Sequence, residues 1–255
     1  MLNPQSGILP EASACARFVT LSLASGESRL SIVRKVCGEL PTLTEVLSSQ
    51  HPEAKLSSTV AFGRDAWGRL FSDCSYPSEL KDFSAVNGKG ISAPATKGDI
   101  LLHIRSERQD VVFALLKEVM AQLGDAFDVV EDVNGFRYMD SRDLTGFVDG
   151  TENPTDGHRA EVALVGSGNS EFSGGSYVHC QRYVHQLKQW ESLPVSDQEV
   201  IIGRTKEYNI EFGANEKAPI AHVKKVNLKD DQGRSMEILR HSLPYGDAKV
   251  TAQNL

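Results

Sequence analysis

Residues 99–123, DILLHIRSERQDVVFALLKEVMAQL, combine the two periodicities that indicate how the first half of the chain folds. In the first part, apolar side chains alternate with polar ones, which predicts a half-buried strand with His103 and Arg105 on its open face. In the second part, 109–123, apolar residues recur three and four positions apart, which predicts an amphipathic helix that ends at Gly124. A strand followed directly by a helix is typical of an α+β unit.

Similar patterns on both sides extend this pair to a β-α-β-β-α-β unit. Alternation predicts strands over 18–23, 56–62 and 127–138, and helical spacing predicts a helix over 28–37. A glycine- and serine-rich run at 166–175 is typical of a connection, so we expect it to separate this unit from a second one.

The second half of the chain begins with the same order of elements. The pattern predicts a strand over 176–183, a helix over 196–203 and a strand over 237–243. Only the polar-biased residues 247–255 follow, and they are too few for another strand and helix. We therefore expect the second unit to be incomplete, with an uncovered edge.

Composition limits the classes of partner. A chain of 255 residues with 40% hydrophobic content can bury one sizeable core or two modest ones. Its 27 Lys and Arg against 34 Asp and Glu give a net charge of −7. An acidic surface argues against nucleic acid or an anionic membrane as a partner.

Cysteine usage and the N-terminus bear on the compartment. Cys15, Cys37, Cys74 and Cys180 are scattered, without a C-x-x-C pair, so we expect reduced thiols rather than disulfides or a zinc site. The first ten residues have no basic and apolar leader pattern, and no apolar run reaches the ~20 residues that span a bilayer. A cytoplasmic protein is the expectation.

The stretch GFVDGTENP, residues 146–154, carries the strongest functional signal. Gly146 and Gly150 permit positive φ angles, and the Asn-Pro pair turns the chain away from helical geometry. The pattern predicts a tight loop that directs the carboxylate of Asp149. A surface turn with a capping aspartate is the simpler alternative.

This loop resembles the signature of the dye-decolourising (DyP-type) haem peroxidases, with greatest similarity to the bacterial cytoplasmic B-type. Three later motifs support the resemblance in the order found in the family: IGRTK at 202–206, AHV at 221–223 and ILRHS at 238–242. It implies two ferredoxin-like domains with antiparallel sheets, for which we predict bounds of 1–145 and 146–255. Relative to the family the chain looks C-terminally truncated, because the second domain lacks its final strand and helix.

The resemblance also implies the roles of five residues. His222 matches the ligand of the iron of haem b (iron protoporphyrin IX), and Arg204 matches the arginine that pairs with a haem propionate. On the opposite face, Asp149 matches the group that moves the peroxide proton, and Arg240 matches the positive donor beside it. Ser242 occupies a position that is often polar in the family and is able to hold a water molecule.

Each role has a structural alternative. His222 has apolar neighbours in PIAHV, which is typical of the entrance to a buried pocket, but a lone histidine is more often structural. Arg240 is otherwise an exposed arginine in a surface ion pair, and Arg204 is otherwise a cation that complements the C-terminal end of a helix dipole.

The expected function is a haem-dependent peroxidase that reduces hydrogen peroxide and oxidises dyes, phenolics or porphyrinogens. Its expected partners are peroxide, a small organic reductant and other copies of the chain in a homo-oligomer. One alternative is a haem-binding or haem-transfer protein with little turnover, which has no need for Asp149 and Arg240. Another is an oligomeric ferredoxin-like module without haem, in which His222 is dispensable.

Overall fold

The computed structural model describes residues 3–88, 90–166, 168 and 171–247. Strands and helices alternate irregularly along these residues, which confirms the α+β class. In chain order they are β1 (Cys15–Leu23), α1 (Glu27–Gln50), β2 (Ser57–Phe62), α2 (Arg64–Leu70), β3 (Val86–Gly88), β4 (Ile91–Ala93), β5 (Ile100–Ser106), α3 (Gln109–Leu123), β6 (Phe127–Phe136), α4 (His158–Ala163), α5 (Leu187–Glu191), α6 (Val195–Ile202) and α7 (His222–Lys225).

The first half folds around a four-stranded sheet with the order β2-β5-β1-β6. Strand β5 runs antiparallel to both neighbours, and Leu102 lies opposite Val19 of β1 and Val60 of β2. Helices α1 and α3 pack on each other and against the sheet. This arrangement is the ferredoxin-like fold predicted for the first half.

Helix α3 has the predicted bounds, whereas α1 is longer than predicted. The buried face of α1 continues through Leu40 to Thr44, and the helix passes Pro41 and ends at Gln50. An internal proline costs a helix about 3 kcal/mol. Burial of this continuous face against the sheet offsets that cost. The helix predicted over 28–37 ended too early because it did not include the later part of this face.

Strand β5 is buried on both faces, so the prediction of a half-buried strand is wrong. Arg105 is 2% exposed and His103 is 9% exposed. The N-terminal segment covers Arg105, whose guanidinium donates hydrogen bonds to the main-chain oxygens of Gly7, Pro10 and Glu11. Burial of a charged group is tolerated here because carbonyl oxygens replace its water.

The short elements between β2 and β5 were not predicted. Helix α2 has one buried face, with Ala66 and Leu70 in the core. Strands β3 and β4 form a separate exposed hairpin. Elements of three residues are too short to produce a readable periodicity.

Described residues beyond 136 contain α4 to α7 and isolated β-bridges, but no strand of a sheet. The helix predicted over 196–203 is confirmed as α6, whereas the strands predicted over 176–183 and 237–243 are wrong. A strand needs a neighbour for its main-chain N–H and C=O groups. In the segment 237–243, the main chain of Arg240 forms its hydrogen bonds with the side chain of Asn153 instead of with a strand.

The chain divides into two compact units. One contains Met1–Gly135 with Leu164–His179, and the other contains Phe136–Ala163 with Cys180–Leu255. The domain bounds 1–145 and 146–255 stay a prediction. Within the described parts of the chain, no helix has the length and apolar character that would let it cross a membrane.

Candidate active site

The loop at 146–154 has the backbone conformation that its glycines predicted. Gly146 has a φ of 87° and Gly150 a φ of 79°, in the left-handed region that a side chain disfavours. The main-chain N–H of Asp149 donates to the oxygen of Ser141 at 2.9 Å, and Gly150 donates its N–H to Oδ1 of Asp149 at 2.7 Å. The half-buried carboxylate is therefore held through one oxygen.

Side chains from outside the loop fix its first residues. Phe147 is buried and meets the ring of Trp190 edge-on, with ring centroids 6.1 Å apart. Nζ of Lys206 lies 5.7 Å from the centroid of the Phe147 ring. Nη1 of Arg142 donates to the oxygens of Gly146 at 2.8 Å and Lys206 at 2.6 Å. These contacts make the loop a rigid base for Asp149.

The end of the loop reaches Arg240. Nδ2 of Asn153 donates to the main-chain oxygen of Arg240 at 2.9 Å, and Oδ1 accepts from its N–H at 3.0 Å. The side-chain Nε of Arg240 is buried and has no hydrogen-bond partner among the described residues. An orphaned guanidinium donor is costly unless a ligand accepts from it.

Arg204 also meets the loop. Its Nη1 donates to Glu152 and Glu211, both at 3.0 Å, and its Nε donates to Oδ1 of Asn209 at 2.9 Å. Glu211 also pairs with Lys217. The Arg204 side chain is only 12% exposed, so this network holds the guanidinium in one orientation. The hydrogen bonds of the described residues leave Nη2 of Arg204 as a donor for a further acceptor.

His222 begins α7, and its surroundings differ from the prediction. The expected buried pocket entrance is wrong, because His222 is exposed and Ile220 is 63% exposed. Ala221 is buried, and a Cβ on Gly203 would lie 2.5 Å from Cγ2 of Val223. Gly203 therefore allows the start of α7 to pack directly behind Arg204, while the imidazole stays open to a ligand.

Hydrogen bonds bring three of the five predicted residues, Asp149, Arg204 and Arg240, into one connected set. The loop carries Asp149 and is bonded to Arg204 and Arg240, and Ser242 is exposed two positions further along. His222 is connected only through the packing of its helix behind Gly203.

Sequence reasoning missed the residues that make these connections, Glu152, Asn153 and Glu211. Asn153 and Glu152 lie inside the quoted loop, so the signal was present. From the sequence, a turn is the simpler explanation of an Asn-Pro pair, because it needs no distant partner. The contact from Glu211 to Arg204 has no comparable signal in the sequence.

One exposed cluster makes stability depend on pH. His158 lies between two carboxylates, with Nδ1 2.9 Å from Glu161 and Nε2 2.8 Å from Glu237. The hydrogen bond with Glu161, followed by that with Glu237, raises the pKa of His158 above its ordinary value. The charged imidazole therefore stabilises the folded chain fully below the unfolded pKa of about 6.5, and this contribution is lost as pH rises through the folded pKa.

We predict that His158→Gln lowers the melting temperature more at about pH 5.5 than at about pH 8.5. Circular dichroism melts of both proteins at the two pH values measure the difference. His51→Gln is the matched control, because the half-buried His51 has one carboxylate within 4.0 Å among the described residues, that of Glu53. Equal losses at both pH values in His158→Gln would contradict the prediction.

Comparisons with known proteins identify the family of the chain. The family model "Dyp-type peroxidase, N-terminal" matches residues 5–137, and "Dyp-type peroxidase, C-terminal" matches 140–254. The dye-decolorizing peroxidase of Mycobacterium tuberculosis is 40% identical over 246 residues, which are 96% of this chain and 72% of that protein.

Solved structures of the same family have the same fold. DyPB from Rhodococcus jostii RHA1 is 36% identical with a TM-score of 0.92, covering 98% of this chain and 80% of that one. A dye-decolorizing peroxidase from Bacteroides thetaiotaomicron is 34% identical with a TM-score of 0.91, over 97% of this chain and 79% of that one. A DypB variant from Rhodococcus jostii RHA1, solved in complex with haem, is 37% identical with a TM-score of 0.92, over 96% of this chain and 79% of that one.

The fold and these matches define a peroxidase, an oxidoreductase that acts on peroxide. The chain belongs to the DyP-type peroxidase family, since two family models and a relative of 40% identity cover almost all of it. The resemblance inferred from four short motifs is thereby confirmed. The roles of the individual residues stay predictions.

Proposed function

We propose that the chain binds haem b through His222 and uses it to reduce hydrogen peroxide while oxidising dyes, phenolics or porphyrinogens. The observation that carries this proposal is the buried Nε of Arg240, which has no acceptor among the described residues and lies on the segment bonded to the Asp149 loop. A donor in this state fits a site built around a ligand.

The donors on this chain fit a haem. The exposed imidazole of His222 makes no hydrogen bond with the described residues, so a ring nitrogen is available to iron, and imidazole is a common haem ligand. Nη2 of Arg204 is available to a propionate. Arg204 already forms ion pairs with Glu152 and Glu211. A propionate would therefore share the positive charge of Arg204 with these two carboxylates.

Bound haem iron supplies the redox chemistry with peroxide. The protein supplies the proton transfer and the electrostatics. Asp149 accepts the proton from one peroxide oxygen and returns it to the other, a role that needs a carboxylate within hydrogen-bond reach. Arg240 donates to the oxygen on which negative charge develops, and its guanidinium stays charged throughout. Ser242 holds a water molecule at the exposed side.

A haem-transfer protein is the second candidate, and the exposure of His222 is the observation that favours it. Release of haem requires an accessible ligand, which an exposed imidazole provides. Asp149 and Arg240 distinguish the two functions, because only turnover of peroxide requires them.

His222→Ala tests the ligand. We expect this variant to lose the histidine-ligated absorption spectrum after reconstitution with haem, while its far-ultraviolet circular dichroism stays unchanged. His51→Ala, a substitution at a half-buried histidine of the other unit, is the control and should keep the parent spectrum. A parent spectrum in His222→Ala would show that the iron is bound elsewhere.

The cellular setting is part of the same proposal. All four cysteines lie in the described residues and none forms a disulfide, which supports a reducing compartment such as the cytoplasm. A homo-oligomer is proposed as well, on the exposed apolar side chains of the second unit, which include Val195, Tyr208, Ile210 and Ile238.

A further inference from the structure

The Asn153 side chain is bonded to the Arg240 main chain in both directions. It donates from Nδ2 at 2.9 Å and accepts at Oδ1 at 3.0 Å. A neighbouring strand normally supplies such a pair of partners. Here a single planar amide supplies both, and only Asn and Gln carry a donor and an acceptor in this form. Asn153 is therefore chemically specified by Arg240, 87 positions away.

Arg240 depends on this anchor more than most arginines would. Its segment belongs to no helix or strand, and the buried Nε bonds to none of the described residues. Among the described residues, the hydrogen bonds of Arg240 therefore hold it through its main chain, from which the guanidinium extends. Loss of the Asn153 bonds frees both main-chain groups of Arg240, and the guanidinium moves with them.

The same residue closes the loop that carries Asp149. The main-chain N–H of Asn153 donates to the oxygen of Gly150 at 3.0 Å, and Gly150 donates to Oδ1 of Asp149 at 2.7 Å. Asn153 thus takes part in two connections. Its main chain closes the turn that follows Asp149, and its side chain bonds to the main chain of Arg240.

We propose that Asn153 is a positioning residue that fixes Arg240 relative to Asp149. The proposal rests on the proposed function, in which these two residues act on the same peroxide. Positioning matters because a displacement of about 1 Å at a reacting group can cost a factor of about 10² in rate. Asn153 itself contacts neither peroxide nor haem in this role.

A double-mutant cycle tests whether Asn153 acts through Arg240. The second-order rate constant of the haem-loaded protein with hydrogen peroxide is measured by stopped flow for wild type, Asn153→Ala, Arg240→Leu and the double variant. We expect Asn153→Ala to slow wild type by about 10- to 10²-fold, but to slow Arg240→Leu by less than about 2-fold, because the positioned group is then absent. Asn87→Ala removes a side-chain hydrogen bond in the exposed β3-β4 hairpin and is the control. It should change the rate with peroxide neither in wild type nor in Arg240→Leu.

Amide exchange gives a readout without haem or turnover. The N–H of Arg240 donates to Oδ1 of Asn153, so its hydrogen exchange should be about 5-fold faster in Asn153→Ala, the factor for loss of about 1 kcal/mol. Asn153→Asp keeps the acceptor and loses the donor. Its Arg240 amide should stay protected, and its rate with peroxide should lie between wild type and Asn153→Ala.

The outcomes separate this proposal from the proposed function. A normal rate in Arg240→Leu would remove the role of Arg240, and the positioning role with it. A slow Arg240→Leu beside a normal Asn153→Ala would overturn the positioning role alone, as would an equal factor for Asn153→Ala in both backgrounds. Unchanged exchange of the Arg240 amide in Asn153→Ala would overturn the contact itself.

Discussion

Replacing Arg240 by leucine should slow the reaction of the haem-loaded protein with hydrogen peroxide by about 10²- to 10³-fold, the usual effect of removing one preorganised donor of this kind. The buried Nε of Arg240 has no acceptor among the described residues, so the folded chain holds a desolvated donor ready for a developing negative charge. Donors in such a setting act more strongly than donors in water.

Asp149→Asn should cause a smaller loss. The carboxylate is only half-buried and Ser242 is exposed, so we expect water to carry part of the proton transfer. Stopped-flow rates with hydrogen peroxide for Arg240→Leu and Asp149→Asn show which substitution causes the larger loss. Arg234→Leu is the matched control, because Arg234 is an exposed arginine paired with Asp230 at 2.7 Å. A deeper loss in Asp149→Asn would reverse the order, and wild-type rates in both variants would contradict the proposed roles.

Arg105→Met should lower the free energy of unfolding of the first unit by about 3 kcal/mol. The guanidinium is 2% exposed and donates to the main-chain oxygens of Gly7, Pro10 and Glu11. Methionine fills much of the same volume but leaves three carbonyls without this donor, at about 1 kcal/mol or more for each. Urea unfolding followed by circular dichroism measures the change.

Arg29→Met is the control for this substitution. Arg29 forms an exposed ion pair with Asp125 at 2.7 Å, and pairs of this kind contribute about 0–1 kcal/mol. If Arg105→Met cost no more than Arg29→Met, the carbonyl contacts would not stabilise the N-terminal segment.

The sequence by itself determined the local elements whose signal lies within a few turns of chain. The spacing of apolar residues over 109–123 predicted the bounds of α3, because one buried face of a helix repeats at a fixed interval. The glycines of the loop at 146–154 predicted its positive φ angles, because only glycine adopts them without strain. The order of this loop and the three later motifs, at 202–206, 221–223 and 238–242, also sufficed to predict the family.

Tertiary structure decided what depends on distant partners. Alternation in β5 placed Arg105 at the surface, but the N-terminal segment brings carbonyl oxygens over it and buries it. Residues around Arg240 have the alternation of a strand, yet the partner of its main chain is the Asn153 side chain. Periodicity records which side of an element is apolar, whereas hydrogen bonds between residues far apart in the chain form only once folding brings donor and acceptor together.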